Sequence, residues 1–246
     1  EGGRGERGKS VQAAGGGLGP LARACPDWAQ AHRDFGGALA RLGRFDEAVA
    51  ALRQATTLQP EMADAWLALA DALRANGDAA GADAAYLRHV RQSARDPRLL
   101  AIGKALFENL LPEAEEQLRV RLEQAPNDVA AIRMLAELSA RLGRDDDALA
   151  LLTRCMELAP GFHAARKNLA QVLNRGNRHA EALEQVETLL ASEPAHPSYL
   201  NLKAVILGRI GDYAQAIALY EEILAQHPRH PQLWMSYGHA LKTAGF

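Results

Sequence analysis

The chain has 246 residues, of which 48% are hydrophobic and 24% charged, and its formal net charge is −2. This composition excludes wholesale disorder, and the near-neutral balance gives little field to gather nucleic acid or anionic lipid. Its 49 alanines outnumber Val, Ile and Thr combined, which total 19, and alanine favours helix where β-branched residues favour sheet.

Residues 1–20 contain eight glycines, too many for a stable helix, and are predicted to be disordered. Within them Gly3, Gly8, Lys9 and Ser10 spell a phosphate-loop pattern. That motif works when a strand delivers the loop and a helix follows, and neither is predicted here, so chance in a Gly/Arg-rich tail accounts for it. No charged-then-apolar leader follows Glu1. Residues 21–25 read as the remnant of an earlier second helix, and a repeat domain is predicted over 21–246.

From residue 29 onward several residue classes share one register. Pro26 and Pro60 are 34 apart, as are Pro126, Pro160, Pro194 and Pro228 in succession. Ala48, Ala82, Ala114, Ala148, Ala182 and Ala216 keep the same step apart from one of 32. Gly43, Gly77, Gly143, Gly211 and Gly245 follow it too, with Asn177 in a vacant glycine slot. A single two-residue deletion between Ala82 and Ala114 reconciles all the series. Each period reads as two helices. Phe35, Leu39 and Leu42 share a face of the first, Gly43 ends it in a left-handed conformation, and Asp46 and Glu47 suit the positive start of the second. Ala48, Val49, Leu52 and Ala55 then form a buried stripe, and Pro60 stops the helix. Gly36, Ala70, Ala136, Ala170, Ala204 and Gly238 are expected to face the second-helix alanines and to let paired helices approach closely.

The pattern resembles the tetratricopeptide repeat: Trp66, Leu69, Ala70, Leu73, Gly77, Ala82 and Tyr86 in one copy, Leu200, Ala204, Leu207, Gly211, Tyr213, Ala216, Tyr220 and Pro228 in another. Repeats fall at 29–62, 63–96, 97–128, 129–162, 163–196 and 197–230, with a first helix at 231–246 carrying Trp234, Tyr237 and Leu241 on its apolar side. The third copy lacks the turn glycine, although Pro112 suits the start of its second helix. The resemblance implies an all-α superhelix, an α-solenoid of antiparallel helix pairs with a concave inner face. It also implies that slots 2, 5, 6, 9, 12 and 13 of the first helices point inward. Those slots hold Arg133, Glu137, Arg141, Lys167, Asn168, Gln171, Asn201 and Lys242, candidates for holding a protein or peptide through its backbone and carboxylates. A carboxylate clamp starting at the fourth copy is matched outright by Asn168 alone, and an asparagine ladder at slot 6 is not present.

Other chemistry is weaker. His227 and His230 share a turn but lack further ligand spacing, so no metal is expected. His32 and His89 occupy packing slots and are expected to be partly buried. Asp145, Asp146, Asp147, Glu221 and Glu222 read as helix-start or solvated charge. No catalytic triad is legible. No stretch nears the roughly 20 apolar residues of a membrane helix. Cys25 and Cys155 show no framework or CxxC spacing, which suits a cytoplasmic location.

Four segments, Ile132–Arg144, Met156–Ala170, Asn201–Leu224 and Leu233–Gly245, resemble the N-terminal repeat region of bacterial tetratricopeptide-repeat sulfotransferases. The resemblance implies a longer protein whose separate α/β domain moves a sulfuryl group from 3′-phosphoadenylyl sulfate. The donor-binding loop of that family has no counterpart here, so neither a catalytic residue nor the cofactor is carried over. An acceptor-docking role or a homo-oligomer is what the repeats inherit. The alternative is a free-standing adaptor without enzyme activity.

Overall fold

The computed structural model describes residues 19, 20, 22, 24–229 and 231–245. Residues 1–18, with the Gly3–Ser10 pattern, lie outside the described residues, as do His230 and Phe246. Helical backbone is already present at Gly19, Pro20, Ala22 and Ala24. Gly19 stands so close to the Phe35 ring that a Cβ there would lie 3.1 Å from it, which anchors the start of this segment.

Thirteen helices follow among the described residues. Six hairpins pair α1 (Ala29–Arg41) with α2 (Phe45–Leu58), α3 (Ala63–Ala75) with α4 (Ala79–Ser93), and α5 (Pro97–Phe107) with α6 (Leu111–Gln124). The series continues with α7 (Val129–Arg141) and α8 (Asp145–Leu158), α9 (His163–Arg175) and α10 (His179–Ser192), and α11 (Pro197–Ile210) and α12 (Tyr213–Gln226), before a single α13 (Pro231–Ala244). The shortened repeat has lost its two residues from α5, which is 11 residues long where α3 and α9 have 13.

The hairpin turns explain why the glycine register exists. Gly43, Gly77, Gly143 and Gly211 have φ of 73–97°, and Asn109 and Asn177 have φ of 60°. A residue with no Cβ, or with a short side chain that tolerates this region, is needed there. The next N–H then reaches back five residues at 2.8–3.0 Å: Arg44 to Leu39, Asp78 to Leu73, Leu110 to Ala105, Arg144 to Ser139, Arg178 to Leu173 and Asp212 to Leu207. That closure satisfies the otherwise orphaned carbonyls of each first helix. The third repeat does lack the glycine, and Asn109 takes its place.

A second recurring bond lies at the other end of the hairpins. The indole N–H of Trp66 donates to the carbonyl of Pro60 at 2.7 Å, and that of Trp234 to Pro228 at 2.8 Å. His32 Nε2 lies 3.0 Å from the carbonyl of Pro26 in the same register. The ring at the fourth position of these first helices thus fixes the proline turn before it.

Within the hairpins the small residues form the seam. Ala48, Ala82, Ala114, Ala148, Ala182 and Ala216 are at most 1% exposed, and Ala70, Ala136, Ala170 and Ala204 are equally buried. A Cβ on Gly36 would stand 2.6 Å from Leu52 Cγ, inside any tolerable contact. Gly238 departs from the expected pattern. It is exposed, and among the described residues nothing lies within 4 Å of a Cβ there, so no second-helix alanine faces it.

Packing divides the chain into two compact units, with boundaries inside α7 and near the end of α8. The first contains the described residues to Leu135 together with Glu157–Gly161, and its core includes Leu39, Leu52, Tyr86, Ile102 and Leu118. The second contains Ala136–Met156 and the described residues from Phe162 onward, around Leu138, Leu152, Val186, Leu189, Ile206 and Ile223. In this unit α13 packs on α12 through Tyr237 and Ala240, which meet Tyr220 and Ala216. Of the expected apolar side of α13, Tyr237 and Leu241 are half-buried and Trp234 is exposed. Leu233 and Ala240 are buried, whereas Trp234 stays 49% exposed because its ring turns to Pro228 and the edge of Tyr237.

Each unit is a stack of helical hairpins without strands among the described residues, and the fold is an all-α helical-repeat solenoid. Among the described residues no helix is long and apolar enough to cross a membrane.

Candidate functional site

The repeat register places equivalent positions of successive first helices side by side. In the second unit this makes a cleft of about 440 Å³ walled by α7, α9 and α11, with Leu152 of α8 behind it. Five of the eight expected groove residues line it: Glu137, Arg141, Asn168, Gln171 and Asn201. The structure adds Asn174 and Arg175, and an apolar strip of Val172, Leu202 and Val205. Glu137, Gln171 and Val205 occupy one slot in three successive repeats, as Arg141 and Arg175 do in two. Lys167 is half-buried on α9 and does not line the cleft, and Lys242 is exposed on α13. Arg133 belongs to the first unit and is half-buried.

The charges of the cleft are internally matched. Arg141 donates to Glu137 Oε1 at 2.5 Å one helical turn away. Arg175 donates to Asp145 Oδ1 at 2.7 Å and to the carbonyl of Ala140 at 3.3 Å. Glu137, which in isolation would repel a carboxylate ligand, is thereby neutralised, and neither arginine presents a bare cation. The carboxamide oxygen of Asn201 is enclosed and has no hydrogen-bond partner among the described residues. An enclosed acceptor without a donor costs free energy, on the order of 1–3 kcal/mol, until something supplies an N–H.

The first unit holds a polar cluster of another kind, which the sequence did not reveal. His89 Nε2 lies 2.9 Å from Asp128 Oδ1, and Nδ1 lies 3.0 Å from the carbonyl of Ala63. Asp128 also accepts the N–H of Ala131 at 3.0 Å and the guanidinium of Arg121, which reaches on to Asp96 at 2.8 Å. Burial pushes the Asp128 carboxyl up. The hydrogen bond and charge of His89, the Ala131 N–H and the Arg121 guanidinium outweigh burial and hold it down at about 2.

Ser93 Oγ stands 3.3 Å from His89 Nε2, so serine, histidine and aspartate meet here. The trio is sealed: His89 and Asp128 are 0% exposed and Ser93 2%. A hydroxyl closed off in this way meets no substrate, and the cluster joins α3, α4, α6 and the start of α7 as a structural tie. His89 is thus fully buried where partial burial was expected, because its two ring nitrogens replace water with oxygens from its own repeat, at Ala63, and from the next, at Asp128.

Among the described residues no group of three or more His, Cys, Asp or Glu is placed to hold a metal. Asp145, Asp146 and Asp147 sit in the first turn of α8, and Glu221 accepts from the Tyr237 hydroxyl at 3.0 Å.

Models of the tetratricopeptide repeat match residues 22–97, 141–206 and 204–240. No curated protein matches the sequence. Among solved structures, a chain of the APC/C hetero-tetramer Cut9–Hcn1 is similar at TM-score 0.55 and 17% identity, over 91% of this chain and 45% of that one. This chain therefore spans less than half the length of that relative. The MamA RS-1 ArsTM double mutant is similar at TM-score 0.53 and 17% identity, over 60% of this chain and 83% of its own. Likeness at these identities speaks to the fold. With left-handed turns every 34 residues, alanine seams and three model matches, the chain belongs to the tetratricopeptide-repeat proteins.

Proposed function

We propose that this protein is an interaction scaffold that holds an extended protein segment in the cleft of its second unit. The observation that carries this reading is that Glu137, Arg141, Asn168, Gln171 and Asn201, separated by up to 64 residues, line one concavity. Concave sites with convergent polar groups beside apolar walls are where ligands gain most contact. A formal charge of −2 favours a protein partner over nucleic acid. The test is selection of a displayed random decapeptide library on the chain and on the double variant Asn168→Ala, Gln171→Ala. Sequences enriched on the former and lost on the latter, with unchanged helical circular dichroism, are expected. Equal enrichment on both would remove the cleft from the function.

A finer placement rests on the sequence segments that resemble the sulfotransferase repeats. On that basis the module precedes a sulfuryl-transfer domain using 3′-phosphoadenylyl sulfate, in a cytoplasmic protein, and docks the acceptor or forms a homo-oligomer. An encoding frame that runs on into a donor-loop strand supports this placement. A frame that closes soon after Phe246 favours the free-standing adaptor.

A further inference from the structure

We infer that the cleft of the second unit takes an uncharged extended segment, read through its main chain and one small aliphatic side chain, rather than an acidic one. The inference rests on the groove reading above and narrows it to a class of ligand. Ion pairing carries the first part of the argument. Arg141 is bound to Glu137, and Arg175 to Asp145 and to the carbonyl of Ala140. An acidic ligand would have to share a guanidinium already neutralised by a carboxylate, or displace that carboxylate, with little net return at a wetted surface. A ligand cation would meet carboxylates already occupied by arginine.

What the cleft offers unspent is carboxamide. Asn168, Gln171 and Asn201 each present an N–H₂ and a carbonyl, the complement of a peptide's alternating C=O and N–H groups, and Asn174, whose Oδ1 is held by His179 Nδ1 at 2.8 Å, adds its N–H₂. Asn201 Oδ1 is the strongest single pointer, because it is enclosed and lacks a donor. A main-chain N–H supplies that donor without adding charge. Beside it Val172, Leu202 and Val205 form a dry wall, and 440 Å³ leaves room for a valine-sized side chain with the backbone that carries it. In an extended strand successive side chains alternate, so every second residue faces solvent and is left unread.

The same decapeptide selection, run on the intact chain at low and at high salt, separates the outcomes. Enriched sequences are expected to be poor in Asp, Glu, Lys and Arg, and to carry Val, Ala or Thr at alternate positions. A synthetic peptide of the enriched sequence should change affinity less than about twofold between 50 and 500 mM salt, since no net charge is neutralised. With the same peptide Asn201→Ala should weaken binding about tenfold by leaving a main-chain N–H unmatched. Enrichment of acidic or basic sequences, or a salt-driven loss of tenfold or more, would overturn this inference and leave the groove reading standing. Failure to enrich any sequence would overturn both.

Discussion

At the scale of single residues, charge buried in the first unit and charge exposed in the cleft behave differently. Asp128 has no exposed surface and answers to His89, Arg121 and the Ala131 N–H at once. Removing one member of a buried pair leaves the other uncompensated, so Asp128→Asn should destabilise by about 3–5 kcal/mol. Urea denaturation of the variant checks this. The depressed carboxyl also sets an acid limit. Its folded value near 2 lies below the ordinary 3.8, so its contribution is complete above about pH 4 and drains away as pH falls towards 2. The loss amounts to roughly 2 kcal/mol, and Asp128→Asn should flatten that part of a stability-against-pH curve. Arg44–Glu47 and Arg178–Glu181 are both open to solvent and screened by it, so they should contribute little to stability. The packing slot of His89 was legible but its partners were not, because Asp128 lies 39 residues away and nothing in the sequence around either residue marks the pairing.

At the scale of the helical hairpin, the register was legible in proportion to how few residue types a position allows. Left-handed turns admit glycine or asparagine, which is why Gly43 and Asn177 stood out. Asn109 lies 34 before Gly143 and was not read as the glycine's stand-in, although Ala114 and Pro126 keep the register of the third repeat. Asn177→Val should cost about 1–2 kcal/mol by forcing a β-branched residue to φ of 60°, whereas Asn177→Gly should be neutral or stabilising; thermal melts of both distinguish them. The seam makes the opposite demand. Gly36→Ala would ordinarily improve a helix by up to about 1 kcal/mol, but here the new Cβ would meet Leu52 Cγ at 2.6 Å. The expected result is a net loss of about 1–3 kcal/mol. Gly238→Ala has open space and should stabilise α13 slightly. The sequence predicted both glycines to face an alanine, and among the described residues only Gly36 does.

For the molecule as a whole, fold class could be read from spacing because a solenoid repeats the same packing problem and solves it with the same residues. The cleft was partly readable for the same reason: slots 6, 9 and 13 of consecutive first helices converge wherever the repeats stack. Its electrostatics were not. The pairing of Arg175 with Asp145 joins positions 30 apart, and in the first unit a contact of the same span is made by Asn76 with Asp46 at 2.9 Å, so this cross-repeat ion pair does not recur as an ion pair there. The slots suggested a polar groove able to hold backbone and carboxylates, whereas the geometry pairs its arginines with carboxylates of the chain itself. Arg133 and Lys167, chosen for their charge, are outside the lining, and their reversal to Glu should leave peptide capture within about twofold of the parent. The account stands or falls on where a partner segment sits. A crystal structure of the chain with a selected decapeptide should show an extended strand between α7, α9 and α11, with a main-chain N–H on Asn201 Oδ1. A peptide bound elsewhere, or in the cleft with a carboxylate displacing Glu137 from Arg141, would contradict it.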